Sequence, residues 1–286
     1  MGRRRRLTLL LLTAATALVG CRNAPRESTD AGVAAALVFK KDGAPVRTLT
    51  LDELVKDVPP ETFTAFDPYY NKKKTYRALP LRAVLERGLA GATSHVEAED
   101  YVLRARDGYA VPISGTRLLE PGAYIAIADV DVPAWEPIGP QQANPAPFYV
   151  VWRGETQQSL ETHPRPWQLA SIEIARFEAT FPHTVPPGEA PGSPAMRGFA
   201  TFRAQCIHCH AVNREGGRVG PELNVPQSIV EYRPVEQIRA YIKNPLTFRY
   251  GNMPAHPNLG DAELGELIAY FAAMKGHKYD PDAGAR

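Results

Sequence analysis

The pattern of apolar and polar positions changes along the chain. In residues 33–181 it outlines two short helices and then strands with a two-residue period, whereas in residues 195–277 apolar positions recur every three to four residues, as on helices. Residues 182–194, between them, include five prolines and two glycines. The pattern predicts two domains joined by a semi-rigid linker, first a mostly β α+β domain and then an all-α domain.

The first domain is predicted to begin with two short helices. Thr50 and Glu53 form a capping-box pattern at the start of one helix, and Pro80 begins the other, which ends near Gly88. The dipeptide 107–108, Asp-Gly, indicates a hairpin. The predicted strands are 101–106, 109–113, 123–128, 148–152 and a half-exposed strand around Ile172 and Ile174.

Two polar segments of the first domain have both a functional and an ordinary interpretation. The lysine run 72–74 could bind an anion, although short lysine runs are more typical of a solvated loop. His163, Arg165 and Trp167 could line a pocket, although their Pro-rich setting is more typical of a surface loop. We predict loops at both places and assign no catalytic residue here.

Three helices are predicted in the second domain. The last one begins near Asp261 and Glu263, whose charges suit a helix N-terminus, and the middle one ends before Pro245. The apolar faces consist of Met196, Phe199 and Phe202 on the first helix, Val235, Ile238, Tyr241 and Ile242 on the middle one, and Leu264, Leu267, Ile268 and Phe271 on the last. Residues 278–286 are predicted to form a loose tail.

Residues 1–20 have the pattern of a cleaved signal peptide, with four arginines at 3–6 ahead of an apolar stretch at 7–19. Removing this segment changes the formal net charge from +2 to −2, because it carries four arginines and no acidic residue. The charge therefore gives no reason to expect nucleic acid as a partner. The composition, 44% hydrophobic and 22% charged, is ordinary for a folded protein.

The end of this signal, Leu18-Val19-Gly20-Cys21, resembles the bacterial lipobox. The resemblance implies lipidation of Cys21, a polar tether over residues 22–32, and a location on the periplasmic or cell-surface side of a bacterial membrane. The alternative is an ordinary signal peptide with a coincidental cysteine.

The chain contains three cysteines, and two of them lie in Cys206-Ile207-His208-Cys209-His210. This C-x-x-C-H pattern is typical of covalent haem c attachment: the thiols add to the haem vinyl groups and the histidine binds iron. A structural zinc site would need a second ligand pair at short spacing. A redox dithiol would precede a helix, whereas this pair follows a helical pattern.

The C-terminal third resembles class I c-type cytochromes. The resemblance rests on Gly198 and Phe202 before the haem motif, Gly220-Pro221 after it, Gly251-Asn252-Met253-Pro254, and Tyr270 in the last helix. It implies one haem c, covalently bound to Cys206 and Cys209. It further implies axial ligation by His210 and Met253, with the Pro221 carbonyl accepting the free N–H of His210. His256 and His208 are the competing candidates for the position of Met253.

The first domain resembles the molybdopterin-binding domain of sulfite-oxidase-type oxidoreductases. The resemblance rests on the order of the segments 81–85, 101–103, 107–109, 124–126 and 168–173. That family binds molybdenum through a cysteine thiolate, and residues 33–181 contain no cysteine. Molybdopterin is therefore not expected, and a docking or ligand-binding role fits better.

The resulting hypothesis is an exported, lipid-anchored monohaem cytochrome that transfers single electrons between redox proteins. Whether it is also an enzyme stays open. One alternative is an oxidoreductase whose first domain does the chemistry while the haem removes the electrons. Another is a haem-based sensor, which needs an open or displaceable axial position.

Overall fold

The computed structural model describes residues 35–139, 141–249, 253–281 and 283. The predicted signal peptide 1–20, Cys21 and the tether 22–32 lie outside these ranges. The strands are β1 (Ala36–Lys41), β2 (Ala44–Thr50), β3 (Glu61–Asp67), β4 (Lys72–Pro80), β5 (Asp100–Ala105), β6 (Ala110–Ser114), β7 (Ala123–Asp129), β8 (Tyr149–Trp152), β9 (Leu169–Ile174), β10 (Ala211–Val212) and β11 (Glu215–Gly216). The α-helices are α1 (Leu51–Asp57), α2 (Leu81–Gly88), α3 (Gly115–Leu118), α4 (Phe177–Thr180), α5 (Pro194–Thr201), α6 (Ile229–Tyr232), α7 (Val235–Lys243) and α8 (Asp261–Lys275).

The two large sheets lie in the N-terminal part and the C-terminal part is mainly helical, as the sequence pattern predicts. One sheet has the strand order β2-β1-β9-β5-β6, in which only β1 and β9 run parallel, and a second, antiparallel sheet has the order β3-β4-β7-β8. Strands β10 and β11 form a small ribbon within the predicted all-α part. No helix in the described ranges combines the length and apolar character that crossing a membrane requires.

Apolar side chains from both sheets and from helices α1 and α2 form the main core of the first part. The capping box that starts α1 is confirmed: the Thr50 hydroxyl accepts from the Glu53 amide, and the Glu53 carboxylate accepts from the Thr50 amide. Strand β5 has two buried faces, because Leu103 faces this core while Val102 packs against the helical part. The hairpin β5–β6 therefore belongs to both halves of the molecule.

The loop prediction for residues 72–74 is wrong, because they begin strand β4. The Lys74 side chain is 1% exposed and lies 2.7 Å from the Asp129 carboxylate and 2.8 Å from that of Glu136. Burial alone would lower the pKa of Lys74, but the two carboxylates more than offset it and hold the pKa above its ordinary value. Lys74 thus belongs to a buried ion cluster, while Lys72 and Lys73 remain exposed.

The surface-loop prediction around residues 163–165 is also wrong, because His163 and Arg165 are both buried. Arg165 donates to the carbonyl oxygens of Trp152 and Gln157 and lies 3.6 Å from the Asp67 carboxylate. The Asp67 carboxylate comes from strand β3, 98 residues earlier in the chain, so a local pattern could not reveal this contact.

The strand around Ile172 and Ile174 is β9, and the expectation that it is half-exposed is wrong. Glu173, between them, is 6% exposed. Its carboxylate accepts from the Gly43 amide at 2.7 Å and lies 3.8 Å from Arg104.

Helices α5 and α8 pack against each other in the C-terminal part. They approach so closely at Gly198 that a methyl group there would overlap the Glu266 carbonyl on α8. The Phe202 and Tyr270 rings pack at 5.2 Å between centroids, and the Tyr270 hydroxyl donates to the Thr184 carbonyl at 2.8 Å. The predicted helices and their packing are confirmed.

Residues Ala34–Arg286 form one compact unit. Within the predicted linker 182–194, Thr184 is fully buried. Within the predicted tail 278–286, Tyr279 stacks on the His183 ring at 3.6 Å, and Asp280 pairs with Arg214. The domain boundaries at these positions stay predictions. The N-terminal and C-terminal parts share the apolar cluster that contains Val102.

Candidate functional site

The two cysteines lie where helix α5 passes into a π-helical turn, Phe202–Cys206, in which the Ile207 amide donates to the Phe202 carbonyl at 2.9 Å. The chain then turns back on itself, because the amides of Cys209 and His210 both donate to the Cys206 carbonyl, at 3.1 and 2.9 Å. Local π geometry of this kind is common at functional sites. Cys209 and His210 are thus both held by the Cys206 carbonyl.

Cys206 and Cys209 are both free, half-buried thiols. Burial raises the pKa of Cys206 to about 12. Burial, with a smaller contribution from the Asp107 charge, raises the pKa of Cys209 to about 11. Both groups are therefore uncharged thiols at neutral pH.

His210 is held by a single strong contact. Its Nδ1 atom lies 2.9 Å from the Pro221 carbonyl oxygen, which can only accept, so Nδ1 carries the proton and Nε2 keeps a free lone pair. Burial lowers the pKa of His210, partly offset by Pro221 and by the Glu222 charge, which favours the neutral ring. A neutral imidazole with one nitrogen anchored is what an iron ligand requires.

Gly220 leaves room for the His210 ring. A methyl group at this position would lie 2.5 Å from Cε1 and 2.7 Å from Nδ1 of His210. The Gly220 amide also donates to the Cys209 carbonyl at 2.8 Å. Gly220 thus leaves room for the His210 ring, and the Pro221 carbonyl accepts its hydrogen bond.

The loop between His210 and Pro226 is held by polar side chains that sequence reasoning missed, Glu222, which is half-buried, and Asn213, which is buried. The Glu222 carboxylate accepts from the amides of Asn213, Arg214 and Asn224 at 2.8–2.9 Å. The Asn213 side chain donates to the carbonyls of His183 and His277. These contacts connect the loop that carries Pro221 to residues before helix α5 and after helix α8.

The second axial ligand, Met253, stays a prediction. Met253 is half-buried, and the two residues that precede it in the sequence, Gly251 and Asn252, lie outside the described residues. His256 donates its amide to the Ile242 carbonyl, and its Nδ1 lies 3.2 Å from Oε1 of Gln205. Burial lowers the pKa of His256, and the Glu161 charge partly offsets this.

His208, the third candidate, packs against the first domain. It is 8% exposed, burial lowers its pKa to about 4, and its ring centroid lies 5.8 Å from that of Tyr109. Its carbonyl accepts from the Ala110 amide at 3.0 Å. The Asp-Gly pair at 107–108 predicted the hairpin, but no local sequence pattern indicated that the hairpin contacts the C-x-x-C-H motif.

The donor set fits haem c. Two neighbouring free thiols would form the thioethers, the free Nε2 of His210 would bind iron, and Gly220 provides the space that the oriented ring needs.

Comparison with known proteins gives the same assignment for the C-terminal region. Residues 193–271 match the family described as "Cytochrome C oxidase, cbb3-type, subunit III". The chain is also 35% identical over 89 residues to "Cytochrome c oxidase subunit 2" of Alkalihalophilus pseudofirmus, an alignment covering 28% of this chain and 26% of that protein. The chain thus matches about a quarter of its curated relative. These findings support a c-type cytochrome domain, haem c as its cofactor and haem-based electron transfer.

Proposed function

We propose that the protein is an exported, lipid-anchored monohaem c-type cytochrome that carries single electrons between redox partners at a membrane surface. The observation that carries the proposal is the bond from His210 to Pro221 beside two free thiols in a C-x-x-C-H sequence. The match of residues 193–271 supports it independently.

Each residue of the site has a separate task in this proposal. Cys206 and Cys209 hold the haem through thioethers. His210 binds iron through Nε2 while its Nδ1–H stays with the Pro221 carbonyl, and Met253 provides the second axial ligand. The bound haem supplies the one-electron iron couple. Two filled axial positions favour electron transfer over the binding of small ligands.

The proposed location is the periplasmic or cell-surface side of a bacterial membrane. Residues 1–20 direct export, and a lipid on Cys21 provides the membrane anchor. The similarity to a segment of a cytochrome c oxidase subunit supports redox proteins as the partners.

For the N-terminal domain we propose the sulfite-oxidase-type fold without molybdopterin, acting as a docking or ligand-binding domain. The support is its mixed α+β architecture with two sheets. No cysteine occurs between residues 22 and 205, so this domain lacks the thiolate through which that family binds molybdenum.

A pyridine haemochrome spectrum with redox titration of the exported protein tests the proposal. We expect one covalent haem per chain and a single one-electron transition. Pigment that acidic acetone extracts, or a colourless mature protein, would contradict covalent haem. Stoichiometric molybdenum would favour the oxidoreductase alternative, and rapid carbon monoxide binding to the reduced protein would favour a sensor.

A further inference from the structure

Gln205, the residue before Cys206, uses both ends of its side-chain amide. Its Nε2 atom donates to the Glu161 carboxylate at 3.1 Å, and its Oε1 atom lies 3.2 Å from Nδ1 of His256. A carboxylate oxygen accepts, so the Nε2 end faces Glu161 and Oε1 accepts from Nδ1–H of His256. The two partners lie 44 residues earlier and 51 residues later in the chain, so Gln205 connects distant segments.

Glu161 belongs to the N-terminal part of the molecule. It lies on the segment 153–168, between strands β8 and β9. Its carboxylate is at an exposed position, but the backbone around it is held, because the His163 amide donates to the Ser159 carbonyl at 2.9 Å and the His163 side chain is buried. Glu161 therefore offers Gln205 an acceptor at a fixed place.

A second residue of the π-helical turn 202–206 also contacts the N-terminal part. The Arg203 guanidinium lies 4.1 Å from the centroid of the Phe177 ring and donates to the Glu178 carboxylate at 3.2 Å. The turn that leads into the C-x-x-C-H motif is thus bridged to preceding elements at two positions. Gln205 differs from Arg203 because its other end continues to His256.

His256 lies on the segment 253–260 ahead of helix α8, which we call the Met253 loop. The His256 amide donates to the Ile242 carbonyl on helix α7 at 3.0 Å, and its ring donates to Gln205. The loop is therefore tied to α7 through backbone and to the C-x-x-C-H motif through a side chain. Two residues separate His256 from Met253, so a fixed ring limits how far Met253 can move.

We propose that Gln205 is a positioning residue that holds the Met253 loop closed and links this loop to the N-terminal part. The inference rests on the proposed cytochrome function, in which Met253 binds the iron. The hydrogen bond to Glu161 orients the amide of Gln205, and the oriented amide holds the His256 ring. In this arrangement His256 keeps Met253 in place and does not itself bind iron.

Titration of the oxidised full-length protein with imidazole tests the positioning role, because imidazole binds the iron only in molecules whose Met253 has left it. The apparent affinity for imidazole is proportional to the fraction of molecules with an open loop. Gln205→Leu removes both hydrogen bonds of the amide, and the affinity should rise about fivefold, the factor for one net hydrogen bond lost from the closed loop. Gln227→Leu, at an exposed glutamine of the C-terminal part, should leave the affinity unchanged.

A double-mutant cycle tests the link to the N-terminal part. Glu161→Ala should raise the affinity for imidazole when Gln205 is present, by less than Gln205→Leu does, because the amide loses its orientation but keeps its acceptor. In the Gln205→Leu background, Glu161→Ala should have no effect, since the connection is already broken.

Haem content and the optical spectrum of the same samples separate this inference from the proposed function. Unchanged imidazole affinity in Gln205→Leu, or additive effects of the two substitutions, with one covalent haem per chain, would overturn the positioning role and leave the cytochrome function standing. A wild-type protein whose iron is bound by His256 would also overturn it. A chain without covalent haem would overturn the cytochrome function, and this inference with it.

Discussion

The Nδ1 atom of His210 lies 2.9 Å from the carbonyl oxygen of Pro221. Gly220, which directly precedes Pro221, lies against the same imidazole ring. Neither contact depends on a charged group. The ring is therefore oriented by backbone and by space, which keeps Nε2 free for a metal.

Gly220→Ala tests this arrangement. The added methyl would lie 2.5 Å from Cε1 of His210, so the ring must move, and we expect loss of covalent haem or an altered optical spectrum in the haem that is retained. Haem per chain and the visible spectrum are the measurements. Gly276→Ala, where the nearest atom is 3.6 Å away, should leave both unchanged.

Met253→Ala tests the second axial ligand. Removing the thioether should abolish the weak sulfur-to-iron absorption band at the red end of the oxidised spectrum and should open the reduced iron to carbon monoxide. His256→Ala should retain the band, and its reduced iron should not bind carbon monoxide. If the wild-type protein lacks the band and only His256→Ala opens the reduced iron to carbon monoxide, His256 is the ligand.

Gly198→Ala tests the packing of α5 against α8. The methyl would overlap the Glu266 carbonyl, so we expect the free energy of unfolding to fall by about 1–3 kcal/mol in denaturant titrations. Gly265→Ala is the control on α8 itself. Its nearest neighbour is the flexible Arg239 guanidinium at 3.3 Å, so replacing a helical glycine there should raise stability by up to about 1 kcal/mol.

Lys74→Met tests the buried ion cluster. It leaves the fully buried Asp129 carboxylate without its closest cation, so unfolding should become easier by about 3–5 kcal/mol. Lys72→Met removes a lysine that is 53% exposed and pairs with the same Glu136, and it should cost less than about 1 kcal/mol. If both substitutions lower the free energy of unfolding equally, the burial of Lys74 does not determine its contribution to stability.

Acid stability should depend on Glu136. Hydrogen bonds from Lys72 and Lys74 hold its pKa below the ordinary 4.5. The folded state thus keeps Glu136 ionised where the unfolded chain protonates it, so its contribution to stability is present above pH 4.5 and is lost as the pH falls through the folded pKa. Glu136→Gln should flatten this part of the curve of unfolding free energy against pH, whereas Glu86→Gln, at an exposed position, should not.

The elements that the sequence predicted are those with local causes. The helix at Thr50 is set by a residue three positions away. The bond between His210 and Pro221 was expected from the resemblance to class I c-type cytochromes. Strands β1–β2 and β3–β4 form local hairpins that the sequence pattern did not reveal, and the first of them turns at another Asp-Gly pair, 42–43. Lys74 was misread for a different reason: its partners Asp129 and Glu136 are 55 and 62 residues further along the chain.

The features of the candidate site likewise divide into those that the sequence predicted and those that only the structure shows. Cys206, Cys209, His210 and Pro221 could be named from spacing and resemblance, and the structure brings the last two into contact. The packing of the Tyr109 ring against the His208 ring could not be named, because it results from one half of the molecule packing on the other. Whether Met253 binds the iron and whether Cys21 is lipidated stay predictions.

The amide side chain of Asn213 joins three distant parts of the polypeptide, since it donates to the carbonyls of His183 and His277, the latter 64 residues downstream. A ribosome builds the chain from its N-terminus, so this connection cannot close until residue 277 has been synthesised. Cys206 and Cys209 are therefore made well before this contact can hold the loop that follows them.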